Sequence, residues 1–159
     1  MDGSEPAVEV TVRTAAGADE GAVRALWEAF EAEVPEPVGE PESWEEESEH
    51  LRPALAAGLV LLAYRKDRAV GAGWASPPER GVGHIELVYV RPEARRRGVA
   101  RALTVALARR LMRAGAETVT LDVVSSNRPA VEAWRRLGFV EIERKLAAPA
   151  DRVSGDGPP

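Results

Sequence analysis

The run His84-Ile85-Glu86-Leu87-Val88-Tyr89-Val90 is apolar on both of its faces apart from Glu86. A strand of that kind cannot line a surface; it belongs in the middle of a sheet with both faces covered. Pro92 stops it, because proline lacks the N–H that a ladder needs. Arg95 to Gly98 follow, and then Leu103, Leu107 and Leu111 recur on one face of a helix from about Gly98 to Ala114, with Gly115 at its end. Strand, basic turn and amphipathic helix in that order predict a sheet with helices packed against it, and they locate its centre.

The remaining elements arrange themselves around this unit. Valine alternates with polar residues from Val8 to Thr14, the period-two pattern of a strand with one buried face. Val23, Leu26, Trp27, Phe30 and Val34 form a helical stripe behind Asp19, which is placed as an N-cap. After a proline- and glutamate-rich connection, Ser43 opens a second helix that runs to Gly58. Glu45 and Glu46 occupy its first turn, and its interior Pro53 is expected to kink or divide it. Leu59 to Tyr64 and Ala69 to Trp74 read as a hairpin about Lys66-Asp67-Arg68, ended by Pro77-Pro78. Thr118 to Val124 reads as a strand, Pro129 to Leu137 as a short helix, and Phe139 to Ile142 as the opening of a last strand. The order is β-α-α-β-β-β-α-β-α-β, an α/β (α+β) architecture with helices on both faces of one sheet. One domain over 8–148 is expected, between a flexible N-terminus, 1–7, and a disordered tail, 149–159, rich in proline and glycine.

Composition narrows the chemistry. The absence of cysteine excludes disulfide frameworks and thiolate nucleophiles. The two histidines, His50 and His84, lie far apart without ligand spacing, so neither a metal site nor a serine–histidine triad is expected. A net charge of −5 argues against a nucleic-acid partner, which would call for a positive face. No run approaches the roughly 20 apolar residues of a membrane span, and the first residues lack the basic-then-apolar order of a secretory signal. A cytoplasmic protein without a membrane or nucleic-acid partner is the expectation.

An anion site must therefore be local, and Arg95 to Ala100 offers one. The first turn of a helix presents unpaired backbone N–H groups and the positive end of the helix dipole. Gly98 lets a phosphate come close, Ala100 keeps the next turn small, and Arg95, Arg96 and Arg97 add positive charge. In isolation the run reads more simply as a solvated basic turn that starts a helix. Its place between a buried strand and an amphipathic helix favours the diphosphate.

Val88-Tyr89-Val90-Arg91-Pro92-Glu93 and, two residues on, Arg96-Arg97-Gly98-Val99-Ala100-Arg101-Ala102-Leu103 resemble the acetyl-CoA signature of the GNAT superfamily of N-acetyltransferases, V-x-P followed by Q/R-x-x-G-x-G/A. Leu121-Asp122-Val123, Asn127 and Ala130-Val131-Glu132-Ala133-Trp134-Arg135-Arg136-Leu137-Gly138-Phe139 are similar to that family's downstream block, a strand, an asparagine and a helix closing in L-G-F. The motifs cover about Ile85 to Phe139; the N-terminal third matches by element order alone. The resemblance implies the GNAT acyl-CoA N-acyltransferase fold with a mixed, mostly antiparallel sheet. It also implies acetyl-CoA as cosubstrate, no metal, and direct attack of a primary amine, from a small molecule or a peptide, on the thioester. A homodimer is expected only by analogy with the family.

The resemblance also assigns residues. Val88, Tyr89 and Val90 would offer backbone groups to pantetheine, and Arg95, Arg96, Arg97, Gly98, Val99 and Ala100 would hold the pyrophosphate. Asn127 would meet the pantetheine arm, although an asparagine before a helix is also an ordinary N-cap. Glu86 is the first candidate for general base, since a lone carboxylate in an apolar strand is disfavoured in its charged form; Asp122 in the next strand is the second. A bulge near Val88 to Val90 would free the amide of Val90 or its neighbour for the oxyanion. Trp134 departs from the pattern, because many members carry there a tyrosine that protonates the departing thiolate. Indole can donate an N–H hydrogen bond and pack against pantetheine, but it is no such acid, which leaves Tyr89 or solvent. Glutamates from Glu36 to Glu49 crowd the segment that forms one wall of the family's acceptor groove, where they would favour a cationic amine or merely solvate a helix face. The missing tyrosine keeps a second reading open, a GNAT-fold module that binds acyl-CoA without turnover. A nucleotide- or RNA-binding domain built on the arginines fits the acidic chain poorly.

Overall fold

The computed structural model describes residues 9–34 and 39–158. The segment 1–7, Val8 and Glu36 lie outside the described residues. The strands β1 (Val10–Thr14), β2 (Val60–Arg65), β3 (Arg68–Glu79), β4 (Val82–Val90) and β5 (Thr118–Leu121) form one sheet in the order β1-β2-β3-β4-β5. The first four are antiparallel neighbours and β5 runs parallel to β4, so the sheet is mixed and mostly antiparallel, as expected.

The helix α3 (Val99–Arg113) covers one face, with Leu103, Leu107 and Leu111 fully buried. Burial of each such side chain contributes roughly 1.5–3 kcal/mol. Glycines in the sheet allow the close approach: a Cβ at Gly73 would stand 3.1 Å from Leu107 Cδ1, and one at Gly83 only 2.9 Å from Leu111 Cδ2. The helices α1 (Glu20–Glu33) and α2 (Trp44–Ala56) bury Val23, Leu26 and Trp27, and Trp44, Leu51 and Ala54, in the same core, with the Trp27 and Trp44 rings 5.5 Å apart. Tyr89, opposite in parity to the positions under α3, reaches α1, so these helices lie across the other face. Ser43 and Glu46 cap α2 reciprocally, Ser43 N–H donating to Glu46 Oε2 (2.8 Å) and Glu46 N–H to Ser43 Oγ (3.3 Å). No helix among the described residues is long and apolar enough to cross a membrane.

Several local expectations give way to tertiary context. Asp19 makes no side-chain bond to cap α1; its carboxylate accepts from Ala16 N–H (2.8 Å) and from Arg13, closing the turn before the helix. Pro53 does not divide α2, which continues to Ala56 and ends there. The strand β3 runs through Pro77-Pro78, because both prolines fall where its register with β4 slips, between Ser76 and Glu79, and no ladder N–H is required of them.

The larger corrections are C-terminal. The strand β5 ends at Leu121, short of Val124, and no strand follows it among the described residues. Val140, Ile142 and Leu146 have the spacing of a strand face but are 77%, 78% and 90% exposed, since no sheet edge takes them up. The helix α4 (Arg128–Arg136) forms as expected yet contributes no buried residue. The tail is not featureless: Ala150–Ser154 makes a short helix, α5.

Candidate active site

The register of β4 divides its residues between two functions. Val90 and Val88 pair with Gly71 and Gly73 under α3, while Tyr89 and Leu87 pair with Ala72 and Trp74 on the face of α1 and α2. The next partner of Ala75 is Ile85, so Glu86 is an extra residue in β4, a bulge. The bulge expected at Val88 to Val90 is therefore at Glu86, and Val88 to Val90 pair regularly with β3. Two-residue alternation resumes below it, where His84 pairs with Ser76.

On its other side β4 pairs with β5 only from Val82 to Ile85, leaving Glu86 to Val90 without a strand partner on that edge among the described residues. Arg91 N–H donates to Val70 C=O at 2.8 Å, and peptide groups alternate in direction along a strand, so those of Val88 and Val90 turn toward the open gap. The Val90 carbonyl there accepts from Arg95 Nε at 2.9 Å. Free amides thus face a gap opened by the early end of β5, rather than by a bulge.

The gap leads to the start of α3. Arg96 (φ 62°) and Gly98 (φ 78°) are left-handed, curling the loop as in anion-binding backbone nests. The first bond of the helix runs from Ala102 N–H to Gly98 C=O, so the N–H groups of Val99, Ala100 and Arg101 lack helical acceptors. A Cβ at Gly98 would meet no protein atom within 4 Å. The glycine is required by its φ, and the space before it suits an incoming phosphate oxygen. Arg96 and Arg97 are exposed and make no ion pair among the described residues. These features fit a diphosphate.

Arg95 does something else. Its guanidinium contacts both oxygens of Glu33, at 2.6 and 2.7 Å, and lies 5.7 Å from the centre of the Tyr89 ring. It fastens the loop to the C-terminal end of α1 while its Nε caps the Val90 carbonyl at the edge of the gap, so its charge is paired with Glu33. The Tyr89 hydroxyl donates to Glu33 Oε2 at 2.6 Å, and Phe30 packs edge-on against the ring. Burial, and then the Glu33 carboxylate, push the Tyr89 phenol up to about 12. Its proton is committed to Glu33, which leaves it poorly placed to serve a thiolate in the gap. Glu33 itself is held below the usual glutamate range by Arg95 and by the Tyr89 hydroxyl.

At the bulge, Glu86 is 44% exposed, so the apolar burial expected of it is absent; Ser76 Oγ donates to its Oε1. Asp122, the second base candidate, is 99% exposed just beyond β5. His84 lies between them, with Nε2 3.4 Å from Asp122 Oδ2 and 4.0 Å from Glu86 Oε2, and with Nδ1 2.8 Å from Thr120 Oγ1. The sequence carried a signal for this group: positions two apart on a strand share a face, as do His84 and Glu86, and Thr120 and Asp122.

The downstream residues are not drawn into this arrangement. Asn127 precedes α4 but makes no side-chain capping bond, so the ordinary N-cap role is not the one it plays. Trp134 packs on Phe139, with ring centres 5.8 Å apart, and stays partly exposed. Before and within α2, Glu42, Glu47 and His50 bring one ligand-type atom each to within 4.8 Å of one another, a grouping the sequence spacing did not reveal. Burial and the neighbouring Glu42 carboxylate raise Glu47, and the same two causes raise Glu31. Negative potential thus collects between the ends of α1 and α2, close to Trp74.

The early divergence of a parallel strand pair before a glycine-started helix, with a carboxylate at a bulge of the interior strand β4, is the mixed α/β arrangement that the resemblance implies. The sequence matches the Acetyltransferase (GNAT) family over residues 23–139, and the chain belongs to that family. It is 38% identical over 96 residues to the mycothiol acetyltransferase of Saccharomonospora viridis, covering 55% of this chain and 31% of that protein. It is 36% identical over 148 residues to the mycothiol acetyltransferase of Tsukamurella paurometabola, covering 87% and 51%. The chain thus spans only about a third to a half of these relatives. Among solved structures, that of AAC(6')-Iy with the bisubstrate analogue CoA-S-monomethyl-acetylneamine shares the fold, at TM-score 0.70 and 22% identity, over 89% of this chain and 97% of that one.

Proposed function

We propose that the chain is an acetyl-CoA-dependent N-acetyltransferase acting on a small cationic primary amine. The observation that carries this reading is the unpaired edge of β4 from Glu86 to Val90, which runs from the bulge carboxylate to the free amides at the start of α3. The names of the relatives, mycothiol acetyltransferases, and of AAC(6')-Iy, seen with an acetylneamine bisubstrate analogue, support a small amine.

Acetyl-CoA supplies the activated acyl group, a thioester open to direct attack by an amine. The residues of the chain meet the other needs. The loop 96–101 would hold the diphosphate through Arg96, Arg97 and the free amides. The outward peptide groups of Val88 and Val90 would bond pantetheine, with the Val90 N–H aimed at the developing oxyanion. A cationic amine, with a pKa of roughly 10, must lose a proton before it attacks. Glu86 would take that proton, and Glu31, Glu42 and Glu47 would draw the cation to the groove.

The test is thermal shift and free-thiol release with acetyl-CoA and a panel of polyamines, aminoglycosides, amino acids and short peptides. Thiol release that requires a cationic amine is the expected result. Stabilisation by acetyl-CoA with no thiol release on any amine would instead favour the silent binding module, for which tryptophan in place of an acidic phenol at 134 is the supporting observation.

A further inference from the structure

We infer that His84 relays the proton taken up by Glu86 out to Asp122 and solvent. The inference rests on the acetyltransferase reading of the same site, and it gives a function to a residue whose sequence context suggested none.

One hydrogen bond holds the imidazole, and two carboxylates flank it. Thr120 Oγ1 binds Nδ1 at 2.8 Å, across the Ile85–Leu121 end of the parallel ladder, where His84 pairs with Thr120. That bond fixes the ring so that Nε2 faces both carboxylates, Asp122 at 3.4 Å and Glu86 at 4.0 Å. Ser76 occupies the other oxygen of Glu86, so Oε2 is the one turned toward the ring. The 4.0 Å leg exceeds a hydrogen bond, and a shift of about 1 Å or one intervening water closes it. Among the described residues the charged groups that face His84 are these two carboxylates; Thr120 is its neutral polar partner, and Ser76 binds Glu86 beside it.

The line ends on the most exposed of its three groups, at the point where a proton must leave. The His84 side chain is 31% exposed, that of Glu86 is 44% and that of Asp122 is 99%. A base at the bulge that has accepted a proton from the amine must lose it before the next turnover, at a time when the bound acceptor and cosubstrate restrict water on the groove side. The ring opens a second route. With Nδ1–H donating to Thr120 Oγ1, the neutral ring presents Nε2 as an acceptor; Nε2 takes the proton from Glu86, and the imidazolium so formed passes it to Asp122 and on to solvent. One proton moves per turnover, from ammonium nitrogen to Glu86, to Nε2, to Asp122, to water, and the imidazole returns to its starting state. His84 does not touch the substrate in this scheme; it is a positioning residue that acts through Glu86.

The test compares wild type with His84→Gln and Thr120→Val, using acetyl-CoA and the best amine of the panel, with free thiol as readout. Glutamine keeps an amide near the position of Nε2 but cannot take up a proton, and thermal shift checks that it folds. The expected result is a kcat lower by about tenfold or more with KM for the amine little changed, an altered pH–rate profile, and partial rescue of His84→Gln by added imidazole. Thr120→Val, which frees the ring, should lose several-fold. A His84→Gln enzyme within about twofold of wild type at every pH, with no response to imidazole, would overturn the relay while leaving the acetyltransferase reading intact. If wild type binds acetyl-CoA but acetylates no amine, that reading fails. The contact is then decided by the ring nitrogen NMR shifts of His84: they should move in both Glu86→Gln and Asp122→Asn, and shifts unmoved in either would overturn the placement as well.

Discussion

Glu33 is the place where the helix α1 is tied to the strand and the loop of the cofactor side, and its removal should be felt in both. In Glu33→Ala, the Tyr89 hydroxyl loses its acceptor while the tyrosine, 7% exposed, stays buried. An unpaired buried hydroxyl costs about 1–3 kcal/mol. The Arg95–Glu33 pair is 42% exposed on each side, so solvent screening limits its share to about 0.2–1 kcal/mol. The sum is about 2 kcal/mol, which lowers Tm by about 4–8 °C in a domain of this size. Glu33→Gln, which keeps an acceptor for the phenol, should lose about half as much. The pH dependence has a definite sign. The folded Glu33 is held below its ordinary value, so its contribution is complete above the unfolded pKa of about 4.3 and is lost as pH falls through the depressed folded value. The Tm gap between wild type and Glu33→Ala should therefore be full at neutral pH and narrow in the acid range below about 4. Differential scanning calorimetry across that range is the assay, with an acetyl-CoA titration beside it; release of Arg95 should weaken binding several-fold. A Tm within 1 °C of wild type at neutral pH, or a gap that widens on acidification, would refute the account of this cluster.

Two further substitutions test the cofactor side and the packing beneath it. Gly98→Glu imposes a side chain on a residue at φ 78° and aims a carboxylate at the anion site, so the fold should survive a cost of about 1–2 kcal/mol while acetyl-CoA affinity falls beyond detection by calorimetric titration. Gly98→Ala should carry the same strain with a smaller loss of affinity, and unchanged affinity in the glutamate variant would sink the assignment. Gly71→Ala would set its Cβ 3.0 Å from the Tyr89 carbonyl oxygen and 3.3 Å from Leu103 Cδ1. Because one of those neighbours is backbone, about 1–3 kcal/mol of stability should be lost, read as a lower urea midpoint; an unchanged midpoint would mean that α3 does not sit so close.

What could be read from the sequence was what neighbours in the chain decide. Pro92 ends β4, Gly98 starts α3, and the leucine spacing turns one helix face inward, so the strand, loop and helix of the cofactor side were legible together. The bulge at Glu86 was not, because register is a property of a pair: only the pairing of Leu87 with Trp74 and of Ile85 with Ala75 leaves Glu86 over. The same holds for the contacts that reassign residues. Arg95 meets a glutamate 62 positions earlier, and His84 meets a threonine 36 positions later. Val140 and Ile142 failed for the converse reason. Their alternation is that of a strand, but alternation states a preference for a sheet edge and does not supply one.

The bulge also explains how one strand can serve two ligands without conflict. In a regular strand, a carboxylate at 86 would share a face with Val88 and Val90 and lie beneath α3. The extra residue shifts the phase, so Glu86 stands with Ser76 and His84 on the face of α1 and α2, while Val88 and Val90 keep their side chains under α3. The backbone edge of the same residues, released because β5 ends at Leu121, is then left to the cosubstrate. Side chains on one face would handle the amine and its proton, and peptide groups along the edge would hold the thioester arm. This separation predicts which changes each half tolerates. Substitutions at Glu86, Ser76 or His84 should alter turnover and its pH dependence with little effect on acetyl-CoA affinity. Deletion of Glu86, which would restore regular pairing and remove the carboxylate while leaving Val82 to Ile85 on their present faces, should abolish turnover yet leave binding at the 96–101 loop measurable. Loss of both together would mean that the bulge holds the cofactor site as well, and the two halves would have to be treated as one.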